Sequence, residues 1–387
     1  MFLRLAEARL RKLAHGFPVL AVLGPRQAGK STLARKVFSD KRYVSLEDPD
    51  ERERALRDPR RFLRGLADGA VIDEAQRAPD LFSYLQAVVD DDRRPGKWVI
   101  TGSQNFLLMA SVTQSLAGRI AIVDLLPLSC AELAIAGRLG SLESILVTGQ
   151  FPALHASPLE SADFFRAYMA SYLERDVRQL SAVRDLLQFQ RFVRLLAARC
   201  GQLLNLNALA SDCGIAQTTA RDWLAVLEAS YIVYRLPPYH VNFGKRLVKT
   251  PKLYFYDTGL VAWLLGIRSA EELNFHPQRG ALFETLVVTE AIKKRDNLGQ
   301  RYDLYFWRDN IGTEIDLLVD AGGWLTAIEV KSGATFQREW LRSLETWQRH
   351  ARAARRSVPA LIFGGGGDHR TDGVQILGWR EALAQLD

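Results

Sequence analysis

Leu20-Ala21-Val22-Leu23-Gly24-Pro25-Arg26-Gln27-Ala28-Gly29-Lys30-Ser31-Thr32 is the stretch whose reading decides the fold. Residues 19–23 are an apolar run that reads as a buried strand, and residues 31–37 read as a helix. Between them Gly24, Gly29, Lys30 and Ser31 meet the spacing of a phosphate-binding loop. The backbone there has to curl so that successive N–H groups face phosphate oxygens, and glycine at both ends permits the angles and the close approach. The helix N-terminus adds partial positive charge at the same spot. Gly24, Pro25, Arg26, Gln27, Ala28, Gly29, Lys30, Ser31 and Thr32 are therefore candidate nucleotide contacts. Lys30 would reach the β- and γ-phosphates and the Ser31 hydroxyl would complete the coordination of Mg²⁺. The alternative is a plain glycine turn between a strand and a helix.

Working outward, Gly69-Ala70-Val71-Ile72-Asp73-Glu74-Ala75-Gln76 is an apolar strand that ends in two acids. At the C-terminal edge of a sheet Asp73 would hold Mg²⁺ directly or through water, and Glu74 would orient and deprotonate the attacking water. A surface Asp-Glu turn is the alternative. Lys97-Trp98-Val99-Ile100-Thr101-Gly102-Ser103-Gln104-Asn105 is another strand ending in small polar residues. Ser103 is the candidate γ-phosphate sensor, with Thr101 or Asn105 in its place as alternatives and a helix cap as the competing explanation. Arg119, after Gly118 and before the apolar run 120–126, is a candidate arginine finger acting in cis or in trans, the latter requiring a homo-oligomer; an ordinary salt-bridge arginine is the alternative. Upstream, residues 3–13 read as an amphipathic helix with its arginines on a solvated face, and residues 47–64 as a charged segment covering the sheet edge or bordering the nucleotide.

With 387 residues, 48% hydrophobic and 25% charged, the chain reads as a folded protein of two or three domains. No apolar run approaches the ~20 residues that span a bilayer, and the N-terminus has no signal-peptide core, so the expectation is a cytoplasmic protein without a membrane partner. Cys130, Cys200 and Cys213 are far apart and read as small core residues rather than a disulfide framework or a zinc site. The net charge of +7 is compatible with a nucleic-acid partner but does not require one.

The strings Gly-Pro-Arg-Gln-Ala-Gly-Lys-Ser-Thr, Val-Ile-Asp-Glu-Ala-Gln, Ile-Thr-Gly-Ser and Leu-Ala-Gly-Arg resemble the motifs of a prokaryotic AAA ATPase family. The resemblance extends to Tyr172-Leu173-Glu174-Arg175-Asp176-Val177 and to Pro251-Lys252-Leu253-Tyr254-Phe255-Tyr256-Asp257-Thr258-Gly259-Leu260, and so covers nearly the whole chain. It implies an open parallel sheet of at least five strands with the P-loop strand central, a winged-helix segment, and a C-terminal domain of uncharacterised function; with the loop and the acids, the cofactors expected are ATP and Mg²⁺.

Residues 127–187 read as a helical lid over the nucleotide, broken at Gly149-Gln150-Phe151-Pro152, from which Arg175 would serve as a second phosphate sensor. Residues 203–236 look like a helix-turn-helix whose second helix buries Trp223, Leu224 and Leu227 and turns Gln217, Thr218 and Arg221 outward. Residues 231–234 and 239–248 would pair as a wing, with Lys245 and Arg246 near its tip as phosphate contacts. Such a module serves DNA docking or packing alone.

The remainder reads as α-β-β-β-α-β, with a hairpin turn at Asp320-Ala321-Gly322-Gly323. If that hairpin closes, Asp316 lies opposite the Glu329 region, and Glu329 and Lys331 share a face because strand side chains alternate. Two acids and a lysine on one sheet suit metal-dependent phosphodiester hydrolysis, with Asp316 and Glu329 as metal ligands. The set resembles the PD-(D/E)XK nuclease fold, with Glu284 in the place of the helical acid and Ile315 preceding Asp316 where that fold often has proline. An edge hairpin with solvated charges is the alternative.

The fold expected is α/β: an ATPase core at residues 1–126, a lid at 127–187, a winged helix at 188–250 and a restriction-endonuclease-like domain at 251–387. The expected function is ATP binding and hydrolysis coupled to DNA, with Mg²⁺-dependent cleavage by the C-terminal domain. The alternative is a nucleotide-switched regulatory ATPase whose C-terminal domain binds DNA or protein without cutting.

Overall fold

The computed structural model describes residues 1–103, 116–173, 177, 183, 185–239, 249–351 and 356–385. Five strands, β1 (Val19–Leu23), β2 (Arg42–Ser45), β3 (Ala70–Asp73), β4 (Trp98–Gly102) and β5 (Ile120–Asp124), form an all-parallel sheet in the order β2-β3-β4-β1-β5. The P-loop strand is interior but one place from the edge, not central. All five of its residues are buried, because helices cover both faces. Val19, Ala21 and Leu23 enter one core, while Leu20 and Val22 meet Ala6, Leu10 and Leu33 on the other side.

The helix Ala6–Ala14 forms where its amphipathic pattern predicts. Its approach corrects one expectation: Arg4 is not solvated but 8% exposed, donating to Glu132 Oε1 at 3.1 Å and to the Ala28 and Leu126 carbonyls at 2.6 Å each. The lid helix Cys130–Ile135, which carries Glu132, packs over this arginine and removes it from water.

Four short helices, Cys130–Ile135, Leu142–Thr148, Pro152–Ala156 and Ser161–Tyr172, occupy the region expected as the lid. Helices Leu206–Cys213 and Gln217–Ala229 make the helix-turn-helix, with Gly214 at φ 70° ending the first. Trp223 packs edge-on against Phe189 and Phe192 at 5.3 and 5.5 Å, and Gln217, Thr218 and Arg221 are exposed as expected. The hairpin is different: β6 (Val233–Leu236) pairs antiparallel with β7 (Lys252–Phe255), so this two-stranded sheet closes beyond the boundary expected at residue 250. Lys252, Tyr254 and Phe255 are strongly buried, which places β7 in the core rather than in a linker. Lys245 and Arg246 lie outside the described residues, as do Asn105 and Arg175.

A second sheet, in the order β12-β13-β11-β10-β9-β8, contains β8 (Leu304–Arg308), β9 (Glu314–Asp320), β10 (Trp324–Lys331), β11 (Arg356–Phe363), β12 (Asp368–Thr371) and β13 (Val374–Gly378). It is mixed: β10–β11 and β11–β13 are parallel and the other pairs antiparallel. The expected helix-strand order is present, and a hairpin β12–β13 follows it. In front of this sheet runs the helix Arg279–Leu298, buried on most sides because it also touches β5, the N-terminal helix and the lid. One continuous apolar core consequently runs from the parallel sheet through the lid and the helix-turn-helix to the mixed sheet. Cys130, Cys200 and Cys213 are buried free thiols in it. Among the described residues no helix is long and apolar enough to cross a membrane.

Candidate active site and a second acidic cluster

The loop after β1 is shaped by backbone that side chains resist. Gly24 has φ 145° and Gly29 φ 92°, and Gln27 between them has φ 60°. A Cβ on Gly24 would stand 2.1 Å from the Leu125 carbonyl oxygen, because β5 runs directly alongside. Gly24→Ala is therefore expected to cost several kcal/mol, read as a lower melting temperature together with lost nucleotide binding. A variant that melts like wild type would show that the loop has room the geometry denies.

This loop borders a cleft of about 560 Å³ lined by Arg26, Gln27, Lys30, Ser31 and Thr32 on one side, Glu47, Asp73 and Glu74 on another, and the lid residues Pro152 and Ser171. Lys30 is 5% exposed, and its ammonium donates to the Pro25 carbonyl at 2.7 Å. Ser31 Oγ donates to Asp73 Oδ1 at 2.7 Å; Thr101 donates to the same oxygen and the Tyr43 hydroxyl to Oδ2 at 2.6 Å. Burial, then the bond to Asp73, pushes the Tyr43 phenol up to about 12. Glu74 turns out of the strand at φ 55°, ψ 43°, and Oε2 accepts from Gln76 Nε2 at 2.5 Å and Ser103 Oγ at 3.2 Å.

The two acids at the end of β3 and the hydroxyl at the start of the P-loop helix thus meet at the C-terminal edge of the sheet although β4 lies between β3 and β1. Ser103, expected as a sensor, serves Glu74 in this conformation. Thr101 is fully buried on Asp73. Arg119 is displaced from its expected cis role. It precedes β5, whose first residue pairs with Val19, so it sits at the opposite end of the strands from Gly24. There it forms two bonds to Asp90, at 2.7 and 2.8 Å. A parallel sheet puts all strand starts on the edge away from the loop, so Arg119 cannot serve its own site.

An apolar cleft of about 210 Å³ adjoins the loop, with Phe2, Leu33, Leu128 and Ala153 among its walls. Its position beside Gly29 and Thr32 suits the base of a nucleotide whose phosphates lie on the loop.

The second cluster lies between strand β9 of the mixed sheet and the helix Arg279–Leu298 in front of it. Ligand-type oxygens of Glu284, Glu314 and Asp316 all lie within 4.8 Å of one another. Into them projects Lys252, 3% exposed, with Nζ 2.7 Å from Glu284 Oε1, in contact with Glu314, and 3.7 Å from Asp316 Oδ1. Tyr254 adds a bond to Glu284 Oε1 at 2.5 Å, and Val330 N donates to Asp316 Oδ2 at 2.8 Å. Burial, then the Asp316 carboxylate, raises Glu284 to about 7 against the pull of Lys252. Burial lowers the Lys252 ammonium, but the carboxylates around it more than reverse this and hold it above its ordinary value.

Glu329 and Lys331 share a face as expected and pair at 2.5 Å. Burial, then Asp316, raises Glu329 to about 8. The carboxylate set differs from the expected one: Asp316 gathers with Glu284 and Glu314, and Glu329 is not among the three. Sequence reasoning missed Lys252 and Glu314. Glu314 had a signal, since it lies two residues before Asp316 on one strand. Lys252 stood in a quoted motif, but nothing local says where its side chain goes.

Family models match three consecutive segments: an AAA domain over residues 16–134, a domain of unknown function (DUF8612) over residues 139–271, and a domain of unknown function (DUF4143) over residues 279–381. The uncharacterized protein Rv2008c of Mycobacterium tuberculosis is 36% identical over 334 residues, spanning 85% of this chain and 74% of that protein. The chain belongs to the prokaryotic AAA-type ATPases. The uncharacterized protein Mb2031c of Mycobacterium bovis matches this ATPase with the same figures, and an uncharacterized protein of Haemophilus influenzae is 28% identical over 213 residues, 51% of each chain. Among solved structures, the Walker-type ATPase paby2304 of Pyrococcus abyssi is similar to the ATPase with 14% identity and a TM-score of 0.46, over 67% of this chain and 94% of that one. ATP binding and hydrolysis are the chemistry of the family, and the P-loop cleft is where the ATPase carries the motifs for it. Lys252 falls in the middle matched segment, whereas Glu284, Glu314 and Asp316 fall in the C-terminal one.

Proposed function

We propose that this ATPase is a nucleotide-driven switch that docks on DNA through its helix-turn-helix. The observation that carries the reading is a buried polar network joining the nucleotide lid to the long helix. Gln150, two residues before the cleft-lining Pro152, donates to Glu290 Oε1 at 2.8 Å and accepts from Lys293 Nζ at 2.6 Å. Glu290 also accepts from Cys130 N at 2.8 Å and from Lys293 at 2.9 Å. A lid displaced by γ-phosphate loss has to move the helix Arg279–Leu298 or break this network, and buried polar groups are costly to leave unpaired.

In the cleft, loop N–H groups and Lys30 bind the phosphates, and Glu74 orients water and takes its proton, with Gln76 and Ser103 holding the carboxylate in place. The donor set fits Mg²⁺, since Ser31 and Asp73 present oxygens 2.7 Å apart beside Lys30. Mg²⁺ held there would offset charge on the phosphates. Arg119 would contribute only across a homo-oligomer, in the site of a second copy, after releasing Asp90.

DNA docking draws support from the exposed Gln217, Thr218 and Arg221 at the start of the second helix-turn-helix helix. Fluorescence anisotropy of a labelled duplex, at fixed salt with and without ATP, tests it. Arg221→Glu is expected to weaken binding by about tenfold or more and to reduce the salt dependence. Absence of duplex binding by wild type, or an Arg221→Glu variant that binds as well, would leave the helix-turn-helix as a packing module.

A further inference from the structure

The acid cluster of the mixed sheet already contains a cation, and the cation is part of the chain. We propose that Lys252 is the built-in counter-ion of Glu284, Glu314 and Asp316 and that, delivered there by β7, it keeps that site closed to divalent metal. The proposal does not depend on the nucleotide chemistry or on DNA docking.

Three observations carry it. First, Lys252 Nζ is within 3.7 Å of an oxygen from each of the three acids, close enough to exclude another cation. Mg²⁺ needs oxygens at ~2.0–2.1 Å in near-octahedral array, and an ammonium among the same oxygens would repel it at contact distance. Second, the lysine is delivered from elsewhere in the fold. β7 is held by pairing Lys252 with Leu236 and by a bridge from Lys252 to Leu203, and the ammonium lies 5.7 Å from the Phe306 ring on β8. Third, the acids still outnumber the cations paired with them among the described residues: besides Lys252, Arg308 reaches Glu314 at 3.1 Å and Lys331 reaches the neighbouring Glu329 at 2.5 Å. Glu329 is 3% exposed and its other oxygen, Oε2, has no hydrogen-bond partner among the described residues. A divalent ion has a place to go if Lys252 leaves.

The arrangement therefore does not fit a resident Mg²⁺ at Asp316, where an ammonium delivered by β7 from another matched segment already stands. The test is Mn²⁺ uptake by the full, nucleotide-free chain, followed by the EPR signal of free Mn²⁺. Wild type and Asp316→Asn are expected to take up equal amounts. Lys252→Met, nearly isosteric and uncharged, is expected to gain one Mn²⁺ per chain, bound about tenfold or more tighter than any ion in wild type, and Lys252→Met combined with Asp316→Asn to lose it. A folded Lys252→Met that gains none overturns the proposal, and so does a wild type that loses an ion on Asp316→Asn. Should Lys252→Met fail to fold, the comparison of wild type with Asp316→Asn still decides: equal uptake supports the closed site and a lost ion refutes it.

Discussion

Replacing Glu74 by glutamine is expected to leave ATP bound and to lower its turnover about 10³-fold, within the range that loss of a positioned general base produces. Asp73 cannot take over. It accepts from Ser31, Thr101 and Tyr43 at once, and its burial at 6% exposure commits it to those hydroxyls. Glu74 lies in the left-handed region at φ 55°, a conformation that non-glycine residues adopt only when the surroundings hold it, and this turns its carboxylate toward the cleft that it lines. Glutamine preserves size and hydrogen-bonding capacity, so the loss falls on proton transfer rather than on binding. Phosphate release and retained radiolabelled ATP, measured on the same preparation, separate the two. Undiminished phosphate release would remove Glu74 from the mechanism.

The second large effect is on stability. Arg4→Met is expected to cost about 3–5 kcal/mol, because it leaves Glu132, fully buried, without its cation. Among the described residues Glu132 would retain the N–H donors of Leu5 at 2.7 Å and Ser129 at 2.9 Å. The companion change Glu132→Leu removes the stranded charge, so the double variant should recover much of the melting temperature. Nucleotide affinity should stay reduced in both, since Arg4 also holds the Ala28 carbonyl inside the phosphate loop. A single variant that melts like wild type, or a double variant no better than the single, would show that the pair is not what secures this end of the sheet.

Much of the ATPase site was legible in the chain because its chemistry is local. Gly24 to Thr32 are contiguous, and a strand followed by Asp73 and Glu74 places acids at a sheet edge whatever else surrounds them. In the helix-turn-helix, helical periodicity separated buried Trp223, Leu224 and Leu227 from exposed Gln217, Thr218 and Arg221. In the mixed sheet, period-two alternation put Glu329 and Lys331 on one face. Arg119 stands just before β5, on the sheet edge opposite the loop, so of its two expected roles only the one in trans remains open.

What the sequence alone determined, then, is the set of elements and the residues each carries: a phosphate loop, a pair of acids at a strand end, an exposed helix face, acids and a lysine on strands. What only the tertiary structure decided is which charges lose their water and to whom they are paired. Arg4 meets Glu132 across 128 residues, and Lys252 meets Glu284, Glu314 and Asp316 from another matched segment. A charged residue is solvated by default; burial becomes tolerable only when a partner arrives from a remote element, and that arrival is a property of packing, not of spacing.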